Sequence, residues 1–153
     1  MPAISFQPRW RRQLENGLDL IAGRPMRHKG VEPKLQTLRR LRKHPFKAGD
    51  RLYLWELQRR PEGQFIGVAD CLFTVPVCVS CRRAGRCYEL MAGLGERGHR
   101  SVDADLFARR DGFESIGELV HFLRRFYGLP IPGEPFDGVL ISWDPRRPWE
   151  IVE

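Results

Sequence analysis

An amine, an alcohol and a guanidinium fall within six consecutive residues, Lys34-Leu35-Gln36-Thr37-Leu38-Arg39. In a strand, alternation puts Thr37 and Arg39 on one face and Lys34 on the other. In a helix, Lys34 and Thr37 are neighbours while Arg39 turns away. All three converge where Lys34 lies on a loop and Thr37 begins a strand. Pro33, with the breakers Pro25 and Gly30 ahead of it, favours that arrangement. The three groups would then line one pocket mouth. Such a set suits an anion or a polar heterocycle, because Arg offers a planar fork, Lys a point charge and Thr a donor or acceptor. A basic strand with solvated ends accounts for the same residues without a ligand.

Other side chains could join that chemistry. Trp10, Tyr53, Trp55 and Trp143 are potential stacking faces for bases, and Trp55 fits best because it alternates outward beside Tyr53. Core packing is the ordinary role of such aromatics. Arg59 follows the same strand and either points into the cleft or is solvated in a hairpin. Of the four cysteines, Cys78 and Cys81 form a C-x-x-C, with Cys71 and Cys87 close by. With His99 they are candidate zinc ligands. The paired spacing of a zinc site is missing, and cysteines in an apolar run are commonly small buried hydrophobes, so no cofactor is expected.

The elements that must hold these residues follow from period and breakers. Ile4 to Phe6 reads as a first strand. Trp10, Leu14, Leu18 and Ile21 recur at helical spacing, Gly17 weakens that helix, and Gly23 stops it. Arg24 to Pro33 is a loop. Arg51 to Glu56 alternates as a strand after the Lys47-Ala48-Gly49-Asp50 turn, and Pro61-Glu62-Gly63 turns a hairpin. Phe65 to Val79 is one long β-prone run in which Pro76 predicts an edge or a bulge, and Arg86 to Met91 returns. Ser115 and Glu118 form a capping box ahead of Ile116, Leu119, Val120, Leu123, Phe126 and Tyr127, and Gly128 ends that helix. Val139 to Trp143 is a closing, central strand. Strands in the middle and helices at either side make an α+β domain around a small β-barrel or strongly bent mixed sheet.

Length and charge narrow the class. The 153 residues are enough for one domain with its own core, spanning 1–153. No apolar run approaches a membrane span, and Met1 to Arg12 lacks the apolar centre of a signal peptide, so a cytoplasmic protein with no membrane partner is expected. The net charge is +7, with 12 Lys/Arg against 3 Asp/Glu in residues 1–48 and 14 against 16 in the remainder. A positive excess confined to one third of the chain suits a polyanionic partner such as RNA, or else a merely solvated surface.

Several segments together resemble the ASCH domain family of the PUA-like superfamily. Lys34, Gln36, Thr37 and Arg39 are similar to its G-x-K-x-x-T-I-R signature, with Leu38 in place of Ile. Gly49-Asp50 and the Leu52-Tyr53-Leu54-Trp55 strand follow in the family's order. Ile4-Ser5-Phe6-Gln7-Pro8 is similar to its opening strand, Asp111-Gly112-Phe113 with Ser115 and Glu118 to its D/E-G-F motif, and Val139 to Trp143 to its last strand. The stretch Arg24 to Pro33 is an insertion before the lysine. The resemblance implies a PUA-like fold that binds RNA or modified nucleosides at a cleft lined by Lys34, Thr37 and Arg39. It also implies an alternative, an amidohydrolase acting on acetylcytidine. There Thr37 would attack the amide, Lys34 would take its proton, Asp111 would orient Lys34, and Arg39 would hold the pyrimidine or the oxyanion. A third alternative is an adaptor whose basic N-terminal third meets an acidic protein.

Overall fold

The computed structural model describes residues 2–82, 87–93, 99–101, 103–129 and 134–146, with 81–82, 87–93 and 99–101 described as backbone. In chain order the elements are β1 (Ala3–Phe6), a 3-10 turn (Pro8–Trp10), α1 (Arg11–Ile21), β2 (Gln36–Arg40), β3 (Arg51–Glu56), β4 (Gln64–Asp70), β5 (Phe73–Arg82), β6 (Cys87–Gly93), β7 (His99–Ser101), α2 (Ala104–Arg110), α3 (Ile116–Tyr127) and β8 (Phe136–Ser142). The α+β class is as expected. The described strands form two open sheets, ordered β1-β3-β4 and β2-β8-β5-β6-β7, with no closed barrel among them. The chain divides into two compact units. One holds Met1–Thr37, His44–Thr74 and Ile141–Arg146, the other Leu38–Lys43, Val75–Leu140 and Arg147–Glu153. Strands β2, β5 and β8 contribute residues to both. No helix among the described residues is long and apolar enough to cross a membrane.

In the first unit, alternation decides which side of the three-stranded sheet is buried. β1 runs parallel to β3, and β3 pairs antiparallel with β4. Ile4, Phe6, Leu52, Leu54 and Ala69 turn inward and are buried. Helix α1 covers that face with Leu14 and Leu18, and Leu18 lies directly over Gly67 of β4. Each fully buried leucine here contributes about 2 kcal/mol of transfer free energy. Trp143 completes this core, edge-on to Phe6 at 6.5 Å between ring centroids.

In the second unit, α2 and α3 are neighbours, with Phe107, Ala108, Phe113, Leu119, Val120 and Leu123 buried. The Ser115 hydroxyl caps α3 by accepting from the Glu118 N–H at 3.3 Å. The Glu118 carboxylate reaches one residue further back than a capping box requires, to the Glu114 N–H at 3.0 Å. Gly128 ends α3 in the left-handed region at φ 71°.

Two sequence expectations differ from the structure. The run from Phe65 to Val79 is two strands, because Cys71 and Leu72 carry the chain from one sheet to the other. Pro76 lies in an interior strand, and the β5–β6 register begins at Val77, so the missing N–H falls just outside that ladder. Helix α2 and strand β7 carry no periodic apolar signal long enough to be read in advance.

Candidate functional site

Helix α1 places Lys34 by two backbone contacts within the first unit. The Lys34 N–H donates to the Gln13 carbonyl at 2.9 Å. The Lys34 carbonyl passes so close to Gly17 that any β-carbon there would collide with its oxygen. Gly17, which weakens the helix, is the residue that lets the loop cross it. The crossing sets Lys34 on a loop two residues before β2, and Thr37 is the second residue of that strand, as the breakers predicted.

The loop from Arg24 to Pro33 is tied to the same helix. Asn16, fully buried, donates through Nδ2 to the carbonyls of His28 (2.7 Å) and Val31 (2.8 Å) and accepts the His28 N–H (2.9 Å). Asp19, 3% exposed, accepts from Arg27 N (3.1 Å), Nε (3.0 Å) and Nη2 (2.9 Å). Those Arg27 hydrogen bonds hold the Asp19 carboxyl well below the usual carboxylate range, outweighing the opposing effect of desolvation. Asp19 in turn raises the Arg27 guanidinium above its ordinary value. Glu15 adds contacts to Arg27 at 3.0 Å and His28 at 3.2 Å.

The segment this scaffold presents is polar and dry. Lys34 is 1% exposed, Gln36 0% and Thr37 4%, as dry as the neighbouring Leu35 and Leu38. The Lys34 ammonium sits 4.8 Å from the Trp10 ring centroid, and the Arg9 guanidinium 4.1 Å from the same ring. A desolvated cation–π contact of this kind is worth about 2 kcal/mol. The Trp143 N–H donates to the Leu35 carbonyl at 2.9 Å. Its buried indole Nε1 has no acceptor among the described residues, which leaves a donor of fixed direction in the core of this unit.

The other two expected residues belong to the second unit. Arg39 is half-buried, and desolvation lowers its pKa, while Tyr127 and Asp111 act to raise it again and Arg42 adds to the lowering. Asp111 is 4% exposed at the C-cap of α2, and its N–H donates to the carbonyls of Phe107 (3.0 Å) and Ala108 (3.1 Å). A carboxylate there meets the negative end of the helix dipole. The Arg39 charge offsets that conflict. The four residues thus fall two and two, Lys34 with Thr37 and Arg39 with Asp111.

Trp10 and Trp143 are core residues at 4% and 1% exposure. Trp55 is half-buried on the outward face of β3, 5.3 Å from the exposed Phe65, and Tyr53 lies 6.5 Å from Phe65 on the same face. Arg59 stands exposed in the turn after β3. Cys71 and Cys78 are thiols outside any disulfide. Cys71 is buried, donates to the Phe73 carbonyl at 3.6 Å, and is pushed up to about 11 by burial and by the Asp50 charge. The side chains of Cys81, Cys87 and His99 lie outside the described ones. No cluster of three His, Cys, Asp or Glu suited to a metal occurs among the described residues.

Asn16 was not singled out by spacing, Gly17 was read only as weakening the helix, and Trp143 as a stacking face rather than as a hydrogen-bond donor. The pair Asn16-Gly17 did carry a signal, since two poor helix formers in mid-helix need a tertiary reason. No protein-family model, no curated protein and no solved structure matches the chain.

Proposed function

We propose that the chain binds RNA or a modified nucleoside, as an ASCH-like, PUA-like protein would, and that the base contacts are made by Lys34, Gln36 and Thr37. What carries this is the removal from water of an amine, an amide and a hydroxyl within four residues, among leucines that could have filled the same space. Burying polar groups costs stability relative to apolar side chains of similar volume. A heterocycle with donors and acceptors on its edge is the ligand such groups match. The Trp143 Nε1 donor supports the same chemistry.

Isothermal titration with cytidine, acetylcytidine and a short single-stranded RNA tests the proposal. Lys34→Met and Thr37→Val should each weaken binding at least tenfold while the fold persists. Unchanged affinity in both variants removes the assignment. A second proposal, hydrolysis of an acylated cytidine, draws on the burial of Lys34 and Thr37 three residues apart, an amine and a hydroxyl both removed from water. Acetate release from acetylcytidine that stops in Thr37→Ala would establish it, and no release would dismiss it.

A further inference from the structure

Taking the chain as an RNA binder, we infer that the second unit carries a separate surface for the phosphate backbone of single-stranded RNA, built around the end of α3. Arg40 at the end of β2 anchors it. Its Nη2 donates to the Tyr127 carbonyl at 3.4 Å, and its guanidinium lies 5.3 Å from the Tyr127 ring centroid. This fixes the exposed run Arg40, Leu41, Arg42, Lys43 beside the last turn of α3, which itself ends in Arg124 and Arg125. Arg40, Lys43 and Arg125 pair with no carboxylate among the described residues. Asp111 is the acidic group that acts on the neighbouring Arg39.

Arginines in a last helical turn are accounted for by the helix dipole alone. The aromatic residue among them is not. Phe126 continues the apolar period of α3, yet it is 45% exposed. Its ring lies 4.5 Å from that of Phe122, tilted by 42°, and 5.5 Å from the Arg125 guanidinium. Cations interleaved with an open aromatic ring, itself in contact with a second ring, match a strand that offers phosphates and unstacked bases in alternation. An acidic peptide would use the charges and leave the ring idle. This surface lies outside the Lys34 segment, in the other unit.

The test uses a fluorescein-labelled single-stranded uridine 12-mer, titrated by anisotropy at several salt concentrations. Each phosphate contact on a single strand contributes about 0.7 to the slope of log affinity against log salt. Replacing Arg40, Lys43 and Arg125 together by Gln should therefore flatten the slope by about 2 and weaken binding at least tenfold at 0.1 M salt. Phe126→Ala should cost about tenfold with the slope unchanged. Lys34→Met should leave the slope as it is. An unaltered slope in the triple variant overturns the inference whether or not the Lys34 variant affects binding. Tighter binding of a polyglutamate of equal length, or of phosphatidylserine vesicles, than of the 12-mer also overturns it.

Discussion

Replacing Gly17 by alanine sets two effects of known sign against each other. Alanine in a helix interior is worth about 1 kcal/mol over glycine. At this position the new methyl would collide with the Lys34 carbonyl oxygen and stand 3.2 Å from the carbonyl carbon and 3.3 Å from Leu35 Cδ2. A comfortable carbon–oxygen contact is about 3.3 Å, so the Lys34 backbone must withdraw by roughly 1 Å. Overpacking of this kind costs about 1–3 kcal/mol, and stretching the Lys34 N–H to Gln13 bond adds about 1 kcal/mol. The collision therefore outweighs the propensity gain, for a net loss of about 1–3 kcal/mol. Gly117 in α3 is the internal control, because its nearest neighbour would be Ser115 Oγ at 3.6 Å, an ordinary contact. Gly117→Ala should stabilise by up to about 1 kcal/mol. Thermal unfolding followed by circular dichroism should show Gly17→Ala melting roughly 3–10 °C below the parent and Gly117→Ala slightly above it. Nucleoside titration should show the first variant also losing affinity, since the loop that carries Lys34 has moved. A Gly17→Ala protein as stable as the parent would refute the close crossing of helix and loop. A destabilised one with unchanged affinity would separate Lys34 from the ligand.

Two further outcomes follow from the electrostatics. The Asp19 carboxyl has its pKa depressed in the folded protein, so its contribution is present above the unfolded value of about 3.9 and is lost as pH falls through the lower folded value. Asp19→Asn should lower the melting temperature at pH 7, and the gap to the parent should close as pH falls below about 4. A gap that persists or grows in acid would mean the Arg27 contacts do not stabilise this loop. Cys71, pushed up to about 11, is almost entirely thiol at neutral pH and is 2% exposed. Iodoacetamide at pH 8 should leave Cys71 unmodified in the native protein and modify it after unfolding in urea, as read by peptide mass spectrometry. Rapid native labelling of Cys71 would contradict its burial.

Local signals were enough for most of the elements. The spacing of Trp10, Leu14 and Leu18, the alternation of Leu52 and Leu54, and the Ser115 cap with Gly128 each report a choice made by a few adjacent residues, and each element formed where they placed it. The loop position of Lys34 and the strand position of Thr37 were legible for the same reason, because Pro33 restricts its own neighbourhood.

What the sequence by itself determined, then, is the α+β class, the basic N-terminal third and the loop-to-strand step at Lys34. Only the tertiary structure decided which polar residues leave water, that Asn16 and Gly17 fasten a loop to helix α1, that β4 and β5 divide one apolar run between two sheets, and that Phe126 faces outward on the apolar period of α3. The physical reason is range. Period and turn chemistry act over a few bonds, whereas burial, desolvation and a backbone crossing depend on residues far apart in the chain that no spacing rule brings together.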